Sequence, residues 1–346
     1  MKHQTTRYGE IPFYKIGTFG NTADAFISKK LFLEYKTKYS FPKKGDILIS
    51  ASGTIGMAVI YDGKPAYFQD SNIVWIDNDE TLVKNDFLFY AYSNVKWNTE
   101  HTTILRLYND NFRNTLIPLP PLNEQSAIAN ILSGLDRYLY ALDALILKKE
   151  GVKKALSFEL LSQRKRLKGF NQAWQRVRLG DITNYLTSNL SAEQITQQGK
   201  IKVYDVNNFI GYTDTTFISD KPYISIVKDG SVGRVRILPP KTNILSTMGA
   251  LIANHKTTTE FLFYLLSNFD FKNFTSGSII PHIYFKDYKE KTIFLPPLNE
   301  QSAIADILST LGNEIASLKN KKRQFENIKK ALNHDLMSAK IRVLKK

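Results

Sequence analysis

The sequence predicts an α+β protein in which two α/β domains are separated by two long helices that form an antiparallel coiled coil. Three observations predict this: a segment near the middle of the chain recurs near its end, heptads of apolar residues follow both copies, and short strand-like segments precede both. The chain of 346 residues is long enough for two domains that each bury a core.

One segment of the chain is repeated. The run Leu-Pro-Pro-Leu-Asn-Glu-Gln-Ser-Ala-Ile-Ala occupies residues 119–129 and recurs unchanged at residues 295–305, an offset of 176 residues. Its prolines end the element that precedes them. Asn123 and Asn299 then stand where a helix N-cap is expected, and the glutamate after each suits the positive end of a helix dipole. The repeat therefore predicts a helix start in each half of the chain.

Apolar residues follow each repeat at heptad spacing. In the first half, the apolar residues spaced seven apart are Ile128, Leu135, Leu142 and Leu156, and Lys149 interrupts the series. Between them lie Ile131, Leu132, Leu139, Leu145, Ile146 and Val152. In the second half, the apolar residues spaced seven apart are Ile304, Leu311, Leu318, Phe325 and Leu332. The intermediate apolar residues are Ile307, Leu308, Ile315, Ile328 and Leu336. Heptads sustained in this way predict a coiled coil. The first helix is expected to run from Glu124 to about Leu167, with the intervening lysines on solvated faces.

The matching registers favour pairing of the two helices with each other over packing of each helix on its own domain. The chain runs domain, helix, domain, helix with short joins, which favours an antiparallel pair. The expected segments are a first domain at 1–118, a spacer helix at 119–168, a second domain at 169–294 and a second spacer helix at 295–346.

The two domains share an outline. The strand-like run from Ile201 resembles the one from Ile11, and the strand, glycine turn and strand at 45–60 have a counterpart at 229–237. Short helices are expected near 86–93 and 260–267. Both contain Phe-Leu-Phe-Tyr, whose aromatic side chains are expected in the core.

The charge balance points to a polyanionic partner. The chain has 47 Lys and Arg against 32 Asp and Glu, a net charge of +15, and neutralising phosphates releases condensed counterions. It has no cysteine, which excludes disulfides and thiolate metal sites. The start of the chain carries no apolar signal segment, and no apolar run is long enough to span a bilayer, so we expect a cytoplasmic protein with no membrane partner.

Motifs of catalysis are missing from the sequence. It contains no Gly-x-x-x-x-Gly-Lys-Ser/Thr loop, no Gly-x-Gly-x-x-Gly and no Asn-Pro-Pro-aromatic motif of the kind used by DNA amino-methyltransferases. No Ser/His/Asp set is legible, and five scattered histidines without cysteine argue against a zinc site. We therefore expect a non-catalytic protein that holds no cofactor or metal of its own.

The chain resembles the specificity subunits of type I restriction–modification systems. The resemblance rests on the paired Leu-Pro-Pro-Leu-Asn-Glu-Gln segments at half-chain spacing, on the opener Trp-Gln-Arg-Val-Arg-Leu-Gly-Asp-Ile at 174–182, and on Gly-Asp-Ile-Leu-Ile with Gly-Thr-Ile-Gly at 45–56. It implies two target-recognition domains, each reading one half of a split site in double-stranded DNA. It also implies that the helices set the gap between half-sites and dock methyltransferase (modification) subunits, with a restriction subunit completing the complex.

One departure from the resemblance concerns the first domain. Residues 174–200 precede the strand at Ile201, whereas only residues 1–10 precede Ile11. The first domain is therefore expected to be short at its N-terminus by about 17 residues, which include the tryptophan opener, as counted on the strand alignment.

Candidate DNA contacts lie in two polar clusters of each domain, because base edges need donors and acceptors and phosphates need Lys and Arg. In the first domain they are Ser52, Thr54, Arg106, Asn109, Asn111 and Arg113, with Thr102 and Thr103 beside them. In the second domain they are Lys228, Ser231, Arg234, Arg236, Ser276, Ser278, His282 and Lys286. A lone His282 is expected to form hydrogen bonds rather than to bind a metal.

Two other functions stay open at this point. A coiled-coil assembly scaffold would bind random and cognate DNA equally, with a steep salt dependence. A nuclease with an unrecognised carboxylate site would cleave DNA as an isolated chain with a divalent metal.

Overall fold

A computed structural model of the chain describes residues 4–68, 72–97 and 106–344. The chain divides into two compact units: unit 1 comprises Met1–Asp143 and Asn320–Lys346, and unit 2 comprises Ala144–Lys319. Each unit is described by itself below. Both contain part of each long helix, since one helix spans Leu122–Leu161 and the other spans Leu298–Met337.

The described residues of unit 1 form two three-stranded sheets. Its strands are β1 (Ile11–Tyr14), β2 (Ala25–Ile27), β3 (Ile47–Ser50), β4 (Ala58–Ile60), β5 (Tyr67–Phe68) and β6 (Ile73–Ile76). Its helices are α1 (Lys29–Lys38), α2 (Asn85–Tyr92), α3 (Asn109–Arg113) and the first part of α4 (Leu122–Leu161). The sheet orders are β2-β1-β5, with β1 and β5 parallel, and β4-β3-β6, which is antiparallel throughout.

Unit 2 repeats this plan and adds strands. Its strands are β7 (Gln175–Arg178), β8 (Thr183–Thr187), β9 (Ile201–Tyr204), β10 (Phe209–Thr213), β11 (Tyr223–Val227), β12 (Val235–Leu238), β13 (Thr242–Ile244), β14 (Met248–Ala253), β15 (Thr275–Ser276), β16 (His282–Ile283) and β17 (Thr292–Leu295). Its helices are α5 (Thr259–Ser267), α6 (Phe285–Tyr288) and the first part of α7 (Leu298–Met337). The sheet orders are β10-β9-β13, β12-β11-β14-β8, β15-β16 and β17-β7.

Strand β3 in unit 1 and strand β11 in unit 2 are buried on both faces. All four residues of β3 and all five of β11 are buried, which explains why each strand is apolar except for one serine. A short helix covers each sheet: Leu88 of α2 packs with Ile47 and Ile49, and Phe261 of α5 packs with Ile224 and Ile226. The prediction of mixed α/β domains with matching outlines is confirmed.

The predicted short helices place their aromatic residues in the core. Phe87 and Tyr90 of α2 are buried against Ile128 and Leu132 of α4. In α5, Phe261 is fully buried and Tyr264 almost so. Burial and a hydrogen bond to Asp136 raise the pKa of the Tyr90 hydroxyl. These rings are core residues, as expected from the sequence.

The two long helices pack against each other in an antiparallel manner, which can be seen in each unit separately. In unit 1, Asp136 forms an ion pair with Lys329, and Asp143 Oδ1 lies 2.7 Å from Lys322 Nζ. In unit 2, Lys149 Nζ lies 2.6 Å from Glu314 Oε1, and Lys153, one turn further along α4, lies beside Gly312. In both units, residue numbers therefore fall along α7 as they rise along α4. The antiparallel coiled coil is confirmed.

Three details of the helices differ from the prediction. The first helix ends at Leu161 rather than near Leu167, because Gln163 adopts a left-handed conformation with φ 62°. Both helices begin one residue before the asparagine, so Asn123 and Asn299 lie in the first turn and are not the N-caps.

The third difference concerns which side chains face the partner helix. Four of the intermediate apolar residues of the heptad pattern lie on exposed faces: Ile131, Leu145, Val152 and Ile328. Four basic residues expected on solvated faces are instead partly buried: Lys149, Lys153, Lys322 and Lys329. Lys149, Lys322 and Lys329 each pair with a carboxylate of the other helix, which compensates for their partial burial.

Candidate nucleic-acid interface

The turn between β11 and β12 is built by two glycines. Gly230 and Gly233 have φ values of 83° and 78°, in the region that favours glycine. A Cβ on Gly233 would lie 2.6 Å from a ring carbon of Phe271, so no larger residue fits there. The turn presents Ser231 and Arg234 as exposed side chains.

A second loop of unit 2 is held against this turn. Asp229 and His282 form a β-bridge, and His282 Nδ1 lies 2.6 Å from Asp229 Oδ1. The Gly230 N–H donates to the carbonyl of Pro281 at 2.8 Å. The hairpin of β15 and β16 therefore lies beside the glycine turn, with Ser276 and Ser278 exposed. The structure brings together two clusters that are about 50 residues apart in sequence, and His282 forms hydrogen bonds as predicted.

A third loop positions the two arginines of the turn. Arg234 Nη2 donates to Asn207 Oδ1 at 2.8 Å, and Arg236 Nη1 donates to the Asn207 carbonyl at 2.8 Å. The Arg236 guanidinium also lies 5.3 Å from the ring centroid of Tyr204. Sequence reasoning missed Asn207, because nothing near it in the chain indicates that it meets residues 27 and 29 positions later.

The remaining basic candidates of unit 2 differ in exposure. Lys286 is exposed, with its Nζ 5.5 Å from the centroid of the Tyr284 ring. Lys228 is half-buried, and its carbonyl accepts the N–H of Ile283 at 2.9 Å. Lys228 thus also joins the two loops through its backbone.

Unit 1 carries the same arrangement. Gly53 and Gly56 form the turn between β3 and β4 with φ values of 69° and 81°. Ser52 forms a β-bridge with Arg106, and the Leu107 N–H donates to the Ala51 carbonyl at 2.9 Å. The glycine turn and the segment before the first repeat therefore meet in unit 1, as their counterparts do in unit 2.

The candidates of unit 1 are not all available to a ligand. Ser52 is buried and its hydroxyl donates to Asn72 at 2.8 Å, so it supports the turn and does not face solvent. Thr54 and Arg106 are exposed. Thr102 and Thr103 lie outside the described residues.

Three further candidates of unit 1 lie on a helix, whereas the sequence indicated a loop. Helix α3 contains Asn109, Asn111 and Arg113. Asn111 Oδ1 accepts the N–H of Tyr108 at 2.7 Å, which caps the helix, while Asn109 and Arg113 are exposed. Asparagine favours such local bonds to the backbone, which explains the short helix at this place.

The repeated motif joins the short helix of each unit to the start of a long helix. Gln125 Oε1 accepts the N–H of Lys84 at the start of α2, and Nε2 donates to the carbonyls of Leu82 and Pro120. In unit 2, Gln301 makes the same bonds with Thr258, Lys256 and Pro296. The identical glutamines therefore fix the short helix of each unit to the start of a long helix.

The glutamate of each motif is bound by an arginine that the sequence analysis missed. Glu124 accepts two hydrogen bonds from Arg342, and Glu300 accepts two from Arg166. The Arg342 guanidinium holds the pKa of Glu124 below its ordinary value. The two arginines are also 176 residues apart, but the identical run ends long before them, so only a comparison at fixed offset could have found them.

No group of three or more His, Asp or Glu residues within 4–68, 72–97 and 106–344 could hold a metal ion. In the same part of the chain, no helix is both long and apolar enough to cross a membrane.

Comparison with known proteins identifies the family. The sequence model of one protein family, the type I restriction modification DNA specificity domain, matches residues 1–149 and again residues 171–327. The chain therefore belongs to this family. Its homologues are specificity subunits, a non-catalytic family of type I restriction–modification systems, which confirms both the resemblance and the expectation of a non-catalytic subunit.

Individual relatives agree with this assignment. A type I restriction enzyme specificity subunit of Haemophilus influenzae is 64% identical over 133 residues, which is 38% of this chain and about a third (34%) of that protein. The MjaVIII specificity subunit of Methanocaldococcus jannaschii is 25% identical over 362 residues, covering 92% of this chain and 84% of that protein.

A solved structure shows the same fold. The S subunit of a type I restriction–modification system from M. genitalium superposes with a TM-score of 0.64 at 20% identity, covering 97% of this chain and 91% of the other.

Proposed function

We propose that this chain is the subunit that reads a bipartite double-stranded DNA target for a type I restriction–modification complex. Residues 1–118 and 169–294 act as two target-recognition domains, each reading one half-site. The observation that carries the proposal is that both units join a glycine turn to a second polar loop through one bridging pair, Ser52 with Arg106 and Asp229 with His282.

The chemistry of these surfaces suits duplex DNA. Exposed hydroxyls such as those of Thr54, Ser231 and Ser276 can meet either donors or acceptors on base edges. Exposed Arg106 and Arg234 supply positive charge for phosphates. Asn207 restrains Arg234, which lowers the entropy lost when the guanidinium meets DNA.

The second part of the proposal is that the long helices dock methyltransferase (modification) subunits, with a restriction subunit completing the complex. The outer face of α4 supports this, because it carries large exposed apolar side chains: Tyr140 is 79% exposed and Leu147 is 68% exposed. Apolar residues exposed on a helix beside charged ones are typical of a surface that binds a partner.

The test is co-expression with the neighbouring methyltransferase gene, followed by single-molecule sequencing of host DNA for methylated adenine. A split motif that appears only with this chain is the expected result. Replacing residues 169–294 with the corresponding segment of a relative should change one half of the motif and leave the other intact. A stable complex that methylates nothing would contradict the reading of DNA by the two units, and cleavage by the isolated chain would indicate a nuclease.

Docking is tested by substitution on α4. Leu147→Asp should abolish co-purification of the modification subunit while the melting temperature of the isolated chain stays the same, because the side chain is exposed. Lys148→Ser, a change at the neighbouring exposed position, is the matched control and should leave the complex intact. A complex that survives Leu147→Asp together with Tyr140→Asp would exclude this face.

A further inference from the structure

Unit 2 contains two strands that complete its sheets. Strand β8 pairs antiparallel with β14, from Thr183 opposite Ala253 to Thr187 opposite Gly249. Strand β7 pairs antiparallel with β17, from Gln175 opposite Leu295 to Arg178 opposite Thr292. One continuous segment, residues 174–187, therefore covers the edge of the main sheet and the strand that leads into α7.

Unit 1 contains counterparts of β14 and β17, but its described residues contain no counterparts of β8 and β7. Its sheet β4-β3-β6 corresponds to β12-β11-β14, but no strand of the described residues pairs with the outer edge of β6. Residues 116–119, the counterpart of β17, have no strand partner in the same part of the chain. Leu119 is 54% exposed, whereas its counterpart Leu295 is 4% exposed. An open strand edge of this kind accepts an added strand.

The segment at 116–119 is compatible with strand pairing despite its proline. In unit 2 the Leu179 N–H donates to the Lys291 carbonyl, and hydrogen-bonded pairs alternate along an antiparallel ladder. Val177 opposite Ile293 is therefore a hydrogen-bonded pair, and Arg176 opposite Phe294 is not. Pro118 stands at the position of Phe294, where no N–H is needed.

A buried carboxylate in unit 1 gives independent support. In unit 2, Glu300 Oε2 accepts both Arg166 and the indole N–H of Trp174, the latter at 3.0 Å. In unit 1, the equivalent Glu124 is also buried; its carboxylate accepts two hydrogen bonds from Arg342 and is stabilised by the backbone N–H of Val343, and no indole of the described residues donates to it. A carboxylate has about four acceptor positions, so Glu124 can still accept the indole N–H of a tryptophan at the start of an added segment.

We propose that unit 1 binds an extended segment of a partner polypeptide by strand addition. The segment pairs with residues 116–119 and with the outer edge of β6, and places a tryptophan against Glu124. Its chemistry follows residues 174–187: a tryptophan, an apolar residue three positions later, a Leu-Gly-Asp turn and a second strand. The proposal does not depend on DNA reading, because it concerns the edge of the unit.

The test is a fluorescence anisotropy titration of the full chain with a labelled peptide of residues 172–188. We expect one peptide to bind per chain. Methylation of the Val177 amide nitrogen should weaken binding by about tenfold or more, because it removes a ladder hydrogen bond. Methylation of the Arg176 amide nitrogen is the matched control and should leave affinity unchanged. Trp174→Phe in the peptide should also weaken binding, by about tenfold, through loss of the indole N–H.

Hydrogen exchange locates the bound peptide. Added protection at residues 72–77 and 116–120 is the expected result. Protection confined to 248–253 and 292–295 would mean that the peptide only replaces the strands of unit 2, and would overturn the proposal. Failure to bind at millimolar peptide, or equal loss from both methylated peptides, would also overturn it. Dimerisation of the chain that protects residues 72–77 from exchange without peptide would also overturn the proposal. It would mean that a second copy of the chain covers the outer edge of β6.

Discussion

Arg166 and Glu300 form a two-point ion pair, with 3.2 Å between Nε and Oε1 and 2.6 Å between Nη2 and Oε2. The Glu300 side chain has no exposed area. Arg342 binds Glu124 in the same way in unit 1. In both units, the arginine that follows one long helix binds the carboxylate in the first turn of the other.

Removing the first arginine should destabilise unit 2. In Arg166→Met the buried Glu300 carboxylate loses its counter-charge, and we expect the melting temperature to fall by about 6 °C or more. Lys168→Met, an exposed change two residues later, should have no effect. Differential scanning calorimetry of both variants is the measurement, and equal melting temperatures would contradict a stabilising role for the pair.

The glutamine of the repeated motif should stabilise unit 2 through its four hydrogen bonds. Gln301 is fully buried and bonds to Thr257, Thr258, Lys256 and Pro296. Gln301→Ala leaves these groups unsatisfied and should lower the free energy of unfolding by about 2–3 kcal/mol. Ser302→Ala, at the next and exposed position, should change it little. Urea unfolding of the two variants distinguishes this role from simple loss of a side chain.

The pair of Glu124 and Arg342 should make stability depend on pH in the acid range. Arg342 lowers the pKa of Glu124, so the stabilisation is complete above the unfolded-state pKa of about 4.3 and is lost as pH falls through the lower folded-state value. The difference in unfolding free energy between wild type and Arg342→Met should be constant from about pH 8 to pH 5 and shrink below about pH 4.

A matched control separates this pair from surface charge in general. Arg113 and Asp110 form an exposed pair 3.7 Å apart, so Arg113→Met should give no such pH dependence. If the wild type and Arg342→Met still differ at pH 3 as they do at pH 7, the carboxylate is not the group responsible.

The arginines of the β11–β12 hairpin should contribute to DNA affinity through phosphates. Arg234→Ala should weaken binding to all sequences alike and reduce the slope of log K against log salt by about 0.9. Lys221→Ala, at the opposite end of β11, is the control and should leave the slope unchanged. DNA-binding titrations between low and moderate salt measure this slope. A loss of affinity confined to the cognate site would indicate that Arg234 contacts a base and not a phosphate.

The fold was largely predictable, because its main features depend on local pattern. Prolines and an identical repeat mark the helix starts, heptads mark the seam, and glycines mark the turns of β3–β4 and β11–β12. The helix end was not predictable in this way. It depends on Gln163 in a left-handed conformation, which allows Arg166 to reach a carboxylate 134 residues away.

The candidate site was predictable in its loops but not in its geometry. Ser231 and Ser276 could be selected as polar residues of loops, but their proximity depends on the pair of Asp229 and His282. Ser52 has the same residue type as Ser231, yet it is buried. Pairing across long sequence distances determines which polar residue faces solvent, and residue type alone does not show it.

The glutamine bonds have a consequence for how the domains can change. Gln125 bonds to backbone atoms of Lys84, Leu82 and Pro120. Gln301 makes the corresponding backbone bonds with Thr258, Lys256 and Pro296 and also accepts one side-chain bond, from the Thr257 hydroxyl. A backbone N–H or carbonyl is present whatever side chain stands there. The three backbone bonds that both glutamines share therefore do not depend on which side chains the domain carries, and the same connector can hold two domains that differ in sequence.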